Sequence, residues 1–85
     1  MPTISRFHGI IIVMFLRGKE HEPPHVHAVM QDFSAPFLIS DGSVMDNAAF
    51  PPASAAMVRR FVQRYREELE EMWETGVYRK LPPLE

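Results

Sequence analysis

The 85-residue sequence has no cysteine, which removes any disulfide framework and any thiolate zinc site from consideration. The same lack fits a reducing compartment, and the expectation is a cytoplasmic protein. Glycine is scarce, at four residues, and none sits in a phosphate-cradling loop or a G-x-S-x-G elbow. Ser5, Ser34, Ser40, Ser43 and Ser54 accordingly have no triad context. Long hydrophobic runs are missing too. The longest, Ile10 to Leu16, is far too short to cross a bilayer and has no basic flank ahead of a cleavage-like site, so neither a membrane partner nor secretion is expected. Charge of one sign is not in excess. A formal net charge of −2 argues against nucleic-acid binding by the whole surface and leaves room for a local basic patch. No repeat, low-complexity stretch or linker divides the chain, so residues 1–85 are read as a single domain.

What is present is a globular composition, with 46% hydrophobic and 24% charged residues. Residues 1–50 carry the signals of a β-sheet. Thr3 to Phe7 alternates, and Ile10 to Leu16 is rich in β-branched residues and follows Gly9. Arg17 to Pro24 forms a connection ending in two prolines, which cannot donate to a ladder. His25 to Gln31 and Ala35 to Ser40 read as further strands with a turn near Gln31-Asp32, and Asp41-Gly42 signals a hairpin returning through Ser43 to Met45.

Residues 51–76 change period. Val58, Phe61, Val62, Tyr65, Leu69, Met72 and Trp73 fall on one helical stripe, with Pro51-Pro52 suiting the first turn and Gly76 the stop. The other face carries Arg59, Arg60, Arg64 and Arg66 first, then Glu67, Glu68, Glu70, Glu71 and Glu74. That order opposes the dipole of one continuous helix, at roughly 0.3–1 kcal/mol per badly placed charge. Residues 77–85, with Pro82-Pro83, should form an extended tail. The expected fold is therefore α+β: a small antiparallel meander of three to four strands packed on one long C-terminal helix. One helix covers one face of such a sheet. Ile10, Ile12, Met14 and Leu16 point one way and Ile11, Val13 and Phe15 the other, so a homodimer partner or a small partner protein is expected on the second face.

The densest chemistry is Lys19-Glu-His-Glu-Pro-Pro-His-Val-His-Ala28, which holds three of the four histidines. On a strand, His25 and His27 share a face with Cα atoms roughly 7 Å apart. Paired imidazoles at that spacing can chelate a divalent metal, zinc first, with His21 or Glu22 closing from the loop. The same three residues, His21, His25 and His27, suit acid–base catalysis, as in a hydrolase or a histidine-based nuclease. The structural alternative is that the rings donate to carbonyls beside the prolines and stabilise a turn. Arg59, Arg60, Arg64 and Arg66 are either a solvated face or a nucleic-acid contact. His8 is a lone histidine, and Tyr65 and Trp73 belong to the core stripe.

Three separated pieces, Met1 to Ile12, His21-x-Pro-Pro-His-x-His27, and Tyr65-Arg-Glu-Glu-Leu69 followed by Trp73, resemble a small bacterial domain-of-unknown-function family, number four-one-six-zero. Members carry Asn and Phe where this chain has Glu22 and Val26; Glu22 adds an oxygen donor, and Val26 removes an aromatic ring that could stack on a base. The resemblance implies a small cytoplasmic protein found beside a second small protein, as in a toxin–antitoxin pair. The leading expectation is thus an interaction module in a two-protein complex. An enzyme using the histidines and a nucleic-acid binder using the arginines are the alternatives.

Overall fold

The computed structural model describes residues 3–14 and 23–84. Phe15, Leu16, His21 and Glu22 lie outside them. Four strands, β1 (Thr3–Phe7), β2 (Ile10–Val13), β3 (His25–Met30) and β4 (Phe33–Leu38), pair antiparallel in chain order. Two-residue turns set the register at both described hairpins. Phe7 pairs with Ile10 across His8-Gly9, and Met30 with Phe33 across Gln31-Asp32. His8 and Gly9 both have positive φ, as the hairpin turn that matches strand twist requires. The expected fifth segment shrinks to one bridge, Val44 to Phe37.

The expected single helix is two: α1 (Pro52–Arg64) and α2 (Arg66–Thr75). Tyr65 between them has φ −112° and ψ 26°, outside the helical range. No proline or glycine marks the break. Charge order supplies a reason. One helix would carry its arginines early and its glutamates late, against the dipole. Two helices put Arg64 in the last turn of α1 and Glu67 and Glu68 in the first turn of α2, where each charge is favourable by roughly 0.3–1 kcal/mol. The hydrophobic stripe survives the break, since Val58, Phe61, Val62, Leu69, Met72 and Trp73 are all buried. The ends follow the signals read from sequence: Pro52 occupies the first turn, and Gly76 closes α2 with φ 73°, its N–H donating to the Met72 carbonyl.

Those helical residues form one core with Ile10, Ile12, Met14, Val26, Ala28, Ala35 and Phe37. Phe61 stacks on Phe7 at 5.0 Å between centroids and meets Tyr65 at 5.1 Å. The tail closes the assembly. Leu81 donates its N–H to the Ile4 carbonyl at 2.8 Å, so the tail shields the free edge of β1, while Leu81 and Leu84 are buried in the core. The other edge, β4, carries Pro36, as edge strands tolerate. Beside it the returning chain pairs through Leu38 N–H to Ser43 O and Met45 N–H to Pro36 O. Among the described residues, no buried side-chain nitrogen or oxygen lacks a partner.

Gly42 fixes how closely α1 approaches this edge. Its φ is +79°, and a Cβ there would stand 2.9 Å from the Arg59 Cα. Gly76 has a similar φ but open space around it. Gly76→Ala should therefore cost only the left-handed backbone strain, about 1–2 kcal/mol. Gly42→Ala should cost that plus about 1–3 kcal/mol for the crowding against a helix backbone. Equal losses in urea titrations of the two variants would show that α1 does not sit against the turn. Phe61→Ala, removing a fully buried ring, should lose about 3–5 kcal/mol in the same titration, and a loss below about 1 kcal/mol would misplace the core.

Candidate functional site

The histidine pair is built from three backbone rules. Pro23-Pro24 restricts the chain before β3, so the strand starts cleanly at His25. The period of two then puts His25 and His27 on one side of β3 and Val26 and Ala28, both fully buried, on the other. His27 lies opposite Val13 on β2 and Pro36 on β4, and His25 lies opposite Leu38. The two rings converge, with centroids 5.1 Å apart at 63°. His21 and Glu22, the other expected members, lie outside the described residues.

His25 is the more constrained of the pair. It is buried, its ring centroid lies 5.2 Å from that of Trp73, and its Nδ1 is 2.8 Å from the Pro23 carbonyl oxygen. A carbonyl only accepts, so Nδ1 carries the proton. In the neutral ring this makes Nε2 the basic nitrogen, the one able to take a proton or bind a metal. The Pro24 carbonyl accepts from the Ile39 N–H at 3.1 Å, so both proline carbonyls are satisfied. The arrangement thus stabilises the turn and at the same time orients one imidazole. Trp73 belongs to the core stripe and also serves as a wall of the pair. Its double part was not readable from spacing, because it depends on where α2 ends up after the break at Tyr65.

Among the described residues, no group of three histidines or acids gathers into a metal-ligating set. The described donors of the expected metal site are therefore His25 and His27, two imidazoles on one strand, and a closed zinc sphere needs four ligands.

The four arginines divide into two groups instead of forming one face. Arg59 and Arg66 lie beside the 40–42 turn. Arg66 Nη1 donates to the Ser40 carbonyl at 3.4 Å, and Gln63, on the same stripe, donates to the Asp41 carbonyl at 3.1 Å. The Asp41 carboxylate is held below the ordinary carboxylate value, first by the Ser43 N–H and then by the Ser43 hydroxyl, with the Arg59 charge adding to both. Arg60 and Arg64, one turn apart on α1, instead line a cleft of about 390 Å³ with Tyr65, Pro82, Pro83 and Leu84. The tail residues of that cleft were not foreseen as functional, and their one sequence signal is the Pro82-Pro83 pair.

The family model described as "Domain of unknown function (DUF4160)" matches residues 9–74, more than half of the chain and including both histidines and both helices. Neither the curated proteins nor the solved structures yield a match.

The tautomer is open to direct measurement. Long-range ¹⁵N–¹H correlation spectra, taken where His25 is neutral, should show its Nδ1 protonated and its Nε2 unprotonated. The reverse tautomer would mean that the Pro23 carbonyl is not its partner, and the orienting role would fall.

Proposed function

The chain belongs to the DUF4160 family, and on that footing we propose that it works as a small interaction module, one component of a two-protein complex of the toxin–antitoxin kind. The supporting observation is the sheet face turned away from the core. Ile11, Val29, Pro36 and Leu38 form a half-buried row there, while Val13 is buried yet lies outside the core cluster. The apolar area these half-buried residues still expose favours a cover, by roughly 25 cal/mol per Å². Strand addition is a poor alternative route, since the tail meets the edge of β1 and residues 43–45 meet that of β4. The face is left as the docking surface. A second copy of the chain takes it in the isolated protein, by the self-complementary pairing that most small oligomers use. In the two-protein complex the partner takes the same face.

A second reading rests on the oriented imidazole. With Nδ1 of His25 engaged and His27 alongside, the pair suits a metal-assisted or acid–base step, with His21 and Glu22 as the further donors expected from sequence. Divalent zinc is the cofactor such donors favour. It shares the face with the docking surface.

One experiment addresses both. Native mass spectrometry of the untagged protein at micromolar concentration should give a dimer, and Val29→Lys should give a folded monomer, checked by an unchanged thermal melt. A wild-type monomer would remove the self-docking step and leave the partner protein as the face's occupant. Added zinc that raises the mass by one ion, and fails to in His27→Ala, would favour the second reading. No adduct at equimolar zinc would count against it.

A further inference from the structure

We infer that the cleft between α1 and the C-terminal tail is a binding site for a small phosphate-bearing ligand of nucleotide size. It is distinct from the sheet face and rests on different residues. The cleft is about 390 Å³, within the range of roughly 300–1,000 Å³ typical of small-molecule sites.

Three observations carry the chemistry. The first is the division of the arginine row. Arg59 and Arg66 are turned to the 40–42 turn, whereas Arg60 and Arg64 both line the cleft. Residues one turn apart have Cβ atoms roughly 5–6 Å apart, so two guanidinium forks can converge on one tetrahedral anion. Arg64 also lies over the Tyr65 ring, 5.5 Å from its centroid, which restricts where its fork points.

The second is the opposite wall. Pro82 and Pro83 have fixed φ, and the tail carrying them is anchored by the Leu81–Ile4 hydrogen bond, by Ser5 Oγ donating to the Pro82 carbonyl at 3.4 Å, and by buried Leu81 and Leu84. A wall already ordered costs little entropy on binding. The cleft's Tyr65 ring and prolines offer a small flat surface to the body of a nucleotide, while the arginines suit the phosphate.

The third is the charge around the cleft. The chain is net negative, and α2 is rich in glutamate, so a cationic cleft here is a local feature and not the overflow of a basic protein. A polymer is the poorer fit. Nucleic-acid binders commonly engage about 6–10 phosphates, and this cleft offers two arginines and is walled by the tail.

The test uses the full-length wild-type chain with AMP, adenosine, inorganic phosphate and a single-stranded 12-mer as probes. Calorimetry should show saturable AMP binding, weaker phosphate binding and no adenosine binding. The double variant Arg60→Gln, Arg64→Gln should weaken AMP by about tenfold or more, while Arg59→Gln stays within about twofold, given what charge-assisted bonds contribute. Amide shift mapping on the wild type should place AMP at residues 60–65 and 81–84, which needs no variant to fold. Four results would overturn the inference: no AMP saturation, equal loss in Arg59→Gln, shifts elsewhere on the surface, or binding of the 12-mer without AMP.

Discussion

The backbone at Tyr65 is the constraint on which the rest of the molecule hangs. A single helix from Pro52 to Thr75 would keep the hydrophobic stripe continuous but would oppose its own dipole with four arginines early and five glutamates late. The break keeps the stripe and eases the charge order, with Arg64 in the last turn of α1 and Glu67 and Glu68 in the first turn of α2, although Arg66 still opens α2 against the dipole. Trp73 of α2 meets His25, and Tyr65, at the junction, lines the cleft. Both candidate sites thus adjoin α2 or the junction residue, which no helix-breaking side chain announces.

The sheet is paired at its edges, and its second face is partly covered: Val13 and His25 are buried there, and Ile11, Val29 and Leu38 are half-buried. Leu81 occupies the Ile4 carbonyl, and Ser43 and Met45 occupy β4, so the groups that usually drive strand addition are already paired. Most helical burial is on the side of Ile12, Val26 and Phe37, and Trp73 of α2 also reaches the His25 ring on the other side. The side of Ile11, Val29 and Leu38 also carries the histidine pair. Under the proposed docking role, such a face would combine apolar area with a few fixed hydrogen-bonding atoms, the mix that gives an interface specificity as well as affinity.

The contacts that orient His25 also stabilise the turn before β3. The bond from His25 Nδ1 to the Pro23 carbonyl satisfies an acceptor that the proline-restricted turn leaves exposed, and the packing on Trp73 adds about 0.5–1.5 kcal/mol beyond area burial. The same bond fixes the tautomer and aims Nε2. The 5.1 Å pairing with His27 follows from strand period, with Val26 and Ala28 committed to the core.

Periodicity and turn residues together determined most of the architecture: an antiparallel meander of strands, the buried stripe from Val58 to Trp73, the helix limits at Pro51-Pro52 and Gly76, and the common face of His25 and His27. These are local properties, since a residue's direction along a strand or helix follows from its neighbours in sequence. The division of the helix at Tyr65 was latent in the charge order but could not be placed, because propensity there is ordinary and the gain comes from ends that exist only after the break. The splitting of Arg59 and Arg66 from Arg60 and Arg64 was latent in helical spacing, which sets the two pairs on different stripes, but what each pair meets, the 40–42 turn or the tail, was decided by tertiary structure. The reduction of residues 43–45 to a single bridge was likewise decided by tertiary structure: Gly42 must pass within contact of the Arg59 backbone, and that approach is set by how α1 packs, not by the turn residues themselves.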